Sequence, residues 1–200
     1  MMHLYYAPGA CSLAPHIVLE ELQAAYTLVK VDLRAKKMDD GSDFLAINPK
    51  GYVPVLDTGK GAMLTEGSAM LQYLADQFPE NGLLAAVGSM ERYRTLEWLS
   101  FISTELHKSF GPLFNPAFDA QAGQVVKGIL ERRLSWLASQ MHQQYLLGDQ
   151  FTIADPYLFT VLNWTKFVGM NLGDWPELLN YVERLSSRPA IERALRQEGL

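Results

Sequence analysis

Leu4-Tyr5-Tyr6-Ala7-Pro8-Gly9-Ala10-Cys11-Ser12-Leu13-Ala14-Pro15 decides the fold. The short apolar run to Tyr6 reads as a strand, and Pro8-Gly9 reads as a turn. Pro15 suits the first turn of a helix, where its missing donor costs nothing, and Ser12 is placed to cap that helix. A first strand therefore hands over to a first helix here, and the only cysteine of the chain, Cys11, stands at the junction. Unpaired N–H groups and the positive end of the helix dipole stabilise a thiolate, so Cys11 reads as a reactive thiol with a lowered pKa. The alternative is a small buried hydrophobe.

Further along, Tyr26-Thr27-Leu28-Val29-Lys30-Val31 reads as a second strand after a helix over Pro15 to Leu22. Val53-Pro54-Val55-Leu56 and Ala62-Met63-Leu64 flank a Gly59/Gly61 turn, and a helix follows from Gly67 to about Phe78. That is βαβ followed by ββα. Phe78-Pro79-Glu80-Asn81-Gly82 punctuates the chain, and beyond residue 88 only helical patterns remain. The expected organisation is an α/β domain over 1–80 and an all-helical domain over 88–200. In the second, Leu99, Ile102, Leu106, Phe110 and Leu113 form an apolar seam, and steps of about 100° put Ser100, Thr104, His107 and Gly111 on one stripe beside it. That stripe lines a cleft or is a solvated edge. Thr152 and Asp155 suggest a capping box, and Trp175-Pro176 and Arg188-Pro189 mark two later helix starts.

Composition removes several function classes. A net charge of −5 without any basic run leaves no footprint for nucleic acid. No apolar stretch is long enough to cross a membrane, and Met1-Met2-His3 does not resemble a signal peptide, so a cytoplasmic protein is expected. One cysteine cannot form an internal disulfide, and His3, His16, His107 and His142 show no ligand-like spacing, so no metal is expected.

Two motifs carry chemistry in the first 80 residues. A proline inside the strand-like Val53-Pro54-Val55 suits either an edge position or a cis bond that would turn the Val53 backbone toward an extended peptide. Thr65-Glu66-Gly67-Ser68 falls where a strand ends and a helix begins, a place where free N–H groups bind carboxylates.

Taken together, Tyr6-Ala7-Pro8-Gly9-Ala10-Cys11, Asn48-Pro49-Lys50-Gly51 leading into Val53-Pro54, Leu64-Thr65-Glu66-Gly67, Thr104-Glu105-Leu106-His107-Lys108 and Phe151-Thr152-Ile153-Ala154-Asp155 resemble the bacterial beta-class glutathione transferases over nearly the whole chain. The resemblance implies a thioredoxin-like domain holding glutathione, a helical domain receiving the acceptor, a homodimer, and a detoxifying conjugation of glutathione to apolar electrophiles. It places Cys11 against the glutathione sulfur, where a mixed disulfide and thiol-disulfide exchange can form. Lys36 would lie near the glycyl end, Val53 and Pro54 would pair with the peptide backbone, and Glu66 and Gly67 would hold the γ-glutamyl carboxylate and ammonium. Ser100, Thr104, Leu106 and His107 would face the ligand, and Glu105 would reach the ligand of the neighbouring subunit. His107 is the expected thiolate donor or proton relay and Tyr6 the alternative, while Phe110, Phe114, Trp164 and Phe167 would line the acceptor pocket. The sequence departs from the pattern at Gly67, where serine is frequent, at Tyr52 for glutamine, and at Ser100 for asparagine. The same fold also serves non-catalytic binding proteins, which have no need of Cys11, Val53-Pro54, Glu66 and His107 together.

Overall fold

Leu4 and Tyr6 are buried and alternate with half-exposed neighbours along β1 (Met2–Tyr6). The computed structural model, which describes residues Met1–Leu200, places this strand at the centre of a five-stranded sheet of order β3-β2-β1-β4-β5. The crossover through α1 (Leu13–Glu21) brings β2 (Tyr26–Asp32) parallel to β1, with Leu4 opposite Leu28. On the other side β4 (Val55–Asp57) runs antiparallel, with Leu4 opposite Leu56, and β5 (Met63–Leu64) follows it by a tight turn. The expected βαβ–ββα order is therefore present. A two-residue edge strand, β3 (Lys37–Met38), completes the sheet; it is too short to show any alternation in the sequence. Against it α1 buries Ile17, Val18 and Leu19, while α2 (Gly67–Gln77) buries Met70, Leu71 and Leu74.

The helical unit opens with α3 (Met90–Phe101), whose Ser89 cap accepts from the Arg92 N–H. It continues through a π-helical segment at Ile102–His107 into the short α4 (Lys108–Phe110). Leu99, Ile102, Leu106 and Phe110 are fully buried and Leu113 is half-buried, so the apolar seam is core up to Phe110. The long α5 (Ala120–Ala138) is followed by α6 (Ala154–Leu162), which is buried along its whole length, and by α7 (Pro176–Ser186).

The Thr152–Asp155 pair takes a different form from a simple cap. The helix starts at Ala154, and Asp155 is the acceptor: its carboxylate takes the Thr152 N–H at 2.8 Å and hydroxyl at 3.0 Å, the Leu146 N–H at 3.0 Å and the Tyr181 hydroxyl at 2.8 Å. A completely buried carboxylate thus ties the 146–152 loop to α6 and α7.

The chain divides into two units, Ala85–Ser187 and a discontinuous one made of Met1–Leu84 with Arg188–Leu200. The last helix, α8 (Pro189–Glu198), which the sequence grouped with the helical domain, packs on α1 instead. Periodicity identifies a helix without saying which core its apolar face will meet. Here Ala190, Ile191 and Ala194 are buried, and ion pairs frame them: Arg188 pairs with Glu21, Arg193 with Glu20 at 2.6 Å, and the fully buried His16 and Glu198 with each other at 2.8 Å.

Candidate functional site

In the α/β unit, the Pro8–Gly9 turn is held by two buried polar side chains. Glu198 accepts the Gly9 N–H at 2.8 Å, and Ser12 both accepts from the Ala7 N–H and donates to the Ala7 carbonyl, each at 3.2 Å. Ser12 therefore braces the loop and does not cap α1, contrary to the sequence expectation, because its hydroxyl is already engaged behind the turn.

Cys11 donates its S–H to the Val53 carbonyl at 3.2 Å, and the Val53–Pro54 bond is cis. The thiol is not poised as a thiolate. Burial pushes its pKa up to about 12, outweighing the Cys11 and Ser12 N–H groups that act in the opposite sense, with Glu66 adding to the rise. The residue keeps some exposed surface, yet the loss of solvation outweighs the helix-end N–H groups that a sequence shows. In the ligand-free protein, iodoacetamide should alkylate Cys11 at pH 7.5 on the order of 10²-fold more slowly than an ordinary cysteine, even after allowing for the greater nucleophilicity of a less acidic thiol. The rate should still be climbing with pH at pH 10. A half-maximal rate at pH ~8.5, levelling off by about pH 10, would show the thiol to be unperturbed.

Around this point the structure gathers several expected residues. Lys36, at φ 57°, donates to the Gly51 carbonyl at 2.6 Å. Glu66 stands immediately before α2 with φ 67°, an unfavourable conformation for a residue with a side chain, and Gly67 opens the helix. Its carboxylate accepts from Lys50 at 2.7 Å and from the Tyr52 hydroxyl at 3.3 Å. Neither Lys50 nor Tyr52 was read as a carboxylate partner, since nothing in their spacing to Glu66 announces that pairing. Tyr6 is buried, and its hydroxyl pKa is raised by that burial and by the Glu198 and Asp39 charges, which weakens its case as a thiolate donor.

In the helical unit, His107 ends the π-helical segment, and its Nδ1 lies 2.7 Å from the Tyr157 hydroxyl. Nothing in the sequence pairs Tyr157 with His107, since the two lie 50 residues apart. The His107 ring meets Trp164 edge-on at 4.8 Å, and Phe110, Phe114 and Trp164 form a cluster with centroids 5.7 to 6.2 Å apart. Phe114 keeps an exposed face, 46% of its surface. Phe167 is not one of these rings: it is exposed and lies under the Lys166 ammonium.

The stripe of Ser100, Thr104, His107 and Gly111 does not survive as drawn. Within the π-helical turn the Lys108 N–H reaches back to the Ser103 carbonyl, five residues away, so 100° steps misplace the faces. Thr104 and Ser109 hydroxyls take up the Ser100 and Glu105 carbonyls instead. Ser100 and Thr104 are exposed, Leu106 is core, and Glu105 is paired with Arg133 at 2.8 Å in its own chain. Any reach of Glu105 toward another subunit must first break that pair.

Comparison with known proteins agrees with this architecture. Residues 9–77 match the glutathione S-transferase N-terminal domain and residues 101–189 the C-terminal domain. The chain is 46% identical to glutathione S-transferase GstA of Escherichia coli O157:H7, with each chain covered completely. Among solved structures, a sphingomonad glutathione S-transferase complexed with glutathione superposes with a TM-score of 0.95 at 43% identity, and a bacterial beta-class glutathione S-transferase of Sphingomonas chungbukensis does so with 0.95 at 42%, each covering 99% of both chains. The fold, both domain matches and the full-length identity agree that this chain belongs to the glutathione S-transferase family.

Proposed function

We propose that the protein binds glutathione in its α/β unit and conjugates it to planar, apolar electrophiles. The observation that carries this reading is Glu66, a carboxylate held at positive φ directly before the first turn of α2. A γ-glutamyl group presents an ammonium and a carboxylate on one carbon. Glu66 answers the first, and the N–H groups that open α2 answer the second. The Val53 backbone and Lys36 take the remaining peptide and glycyl end.

In the helical unit the bonded pair of His107 and Tyr157 supplies a donor for a thiolate. A phenol donating to Nδ1 leaves the imidazole proton on Nε2. The Phe110–Phe114–Trp164 cluster, with an exposed ring face on Phe114, favours flat aromatic acceptors. The glutathione sulfur forms a bond to the electrophilic carbon, the leaving group departs with its electron pair, and the thiol proton passes to solvent. Cys11, kept protonated by its surroundings, is the neighbour of that sulfur and becomes a partner in thiol-disulfide exchange only when a glutathione disulfide reaches it. By the family resemblance the enzyme works as a cytoplasmic homodimer in detoxification.

Calorimetric titration with glutathione, followed by conjugation to an activated aryl halide, tests the proposal. Glu66→Ala should weaken glutathione binding about tenfold or more, as expected for loss of a hydrogen bond to a charged group. Cys11→Ala should abolish the mixed disulfide seen by mass spectrometry and leave most of the conjugation. Absence of glutathione binding to the unmodified protein would overturn the reading.

A further inference from the structure

The Glu66 carboxylate of the free protein already holds a primary ammonium. Lys50 Nζ lies 2.7 Å from Glu66 Oε1 and 3.0 Å from the Thr65 hydroxyl, and 5.8 Å over the Tyr52 ring. A carboxylate, a hydroxyl and an aromatic face are the groups that recognise R–NH3⁺. The lysine is presented from a built loop: buried Asn48 donates to the Tyr52 carbonyl at 2.7 Å and accepts from the Lys50 N–H at 3.2 Å. Both charged side chains remain about half exposed, so the head group is tethered and displaceable. Its charge is secure, because the hydrogen bond to Glu66 raises the ammonium above the usual lysine range.

We propose that Lys50 is an internal occupant of the ammonium subsite, which the γ-glutamyl ammonium of glutathione must displace, so that Lys50 lowers the affinity for ligands bearing an α-ammonium. This rests on the reading of Glu66 as the γ-glutamyl contact. Lys50 is a positioning residue in the free protein and a competitor during binding, since one carboxylate oxygen cannot hold two ammonium groups in the same place. As an exposed ion pair, the contact is weak enough to yield to the ligand and strong enough to be felt.

The test compares two ligands and two proteins: glutathione and its desamino analogue glutaryl-cysteinylglycine, titrated into the full chain and into Lys50→Met by calorimetry at low ionic strength. Removing a lysine weakens the long-range attraction for both anionic ligands. Competition for Glu66 affects only the one with an ammonium. The ratio of glutathione affinity to analogue affinity should therefore rise roughly two- to fivefold in Lys50→Met, the worth of an exposed ion pair. Lys50→Arg, which keeps a cation in reach of Glu66, should stay close to the unmodified ratio. An unchanged or lowered ratio in Lys50→Met, with glutathione still bound, would overturn the role of Lys50 alone. Failure of both proteins to bind glutathione would overturn the functional reading and this inference with it.

Discussion

Replacing Asp155 by alanine should cost about 3–5 kcal/mol, the range for breaking a buried, hydrogen-bonded charge. In a chain of this length that lowers the thermal midpoint by roughly 10 °C or more. The carboxylate is the shared acceptor of the Leu146 and Thr152 N–H groups and of the Thr152 and Tyr181 hydroxyls. Alanine leaves those donors without their acceptor, in a region where α6 is buried throughout. Asparagine restores one acceptor oxygen but turns an NH2 toward donors, and should recover only part of the loss. Tyr181→Phe removes only that hydroxyl's contacts to Asp155 and should cost about 1.5–3 kcal/mol, as for a hydrogen bond to a charged group. Differential scanning calorimetry of the three variants gives the order. An alanine variant within 1 °C of the parent would show that the network carries no weight.

The second large effect is expected at His107. His107→Ala should lower kcat for glutathione conjugation about 10²-fold, the lower end of what a positioned proton donor contributes, with little change in the KM for glutathione. The change removes the group that Tyr157 orients, while the Phe110–Trp164 ring contact behind it stays in place. Tyr157→Phe keeps the imidazole while releasing its Nδ1, so its kcat should fall less. Steady-state kinetics for the two variants measures both. A His107→Ala enzyme with unchanged kcat would move thiolate stabilisation elsewhere, with the N–H groups of Cys11 and Ser12 next in line.

Much of this was legible in the chain. The apolar runs at Met2–Tyr6 and Tyr26–Val31 and the Gly59/Gly61 turn carry the order of strands and helices along the chain, because apolar runs and turn residues are local signals. The grouping of Cys11, Val53 and Glu66 was readable only through the resemblance of their motifs to the glutathione transferases. What escaped depends on comparing competing physical terms or on contacts remote in sequence. The thiol pKa of Cys11 is a contest between helix-end N–H groups, visible in the sequence, and desolvation, which only packing reveals. The faces of residues 100–111 turn on one π-helical turn, to which a periodicity of 3.6 is blind. Tyr157 and Lys50 are polar residues whose partners sit far along the chain or across a loop, and spacing is silent about both.

The anchoring of Gly9 by Glu198 sets an order of events for a nascent chain. At ribosomal speeds of about 5–20 residues per second, Glu198 is made roughly ten to forty seconds after Cys11. Throughout that interval the Gly9 N–H and the His16 ring lack their buried acceptor, while the whole helical unit, which interrupts the first one in sequence, emerges and folds. The thiol loop, among the earliest segments translated, thus receives one of its anchors only after the last helix has been made, whereas its Ser12–Ala7 bonds need nothing beyond residue 12.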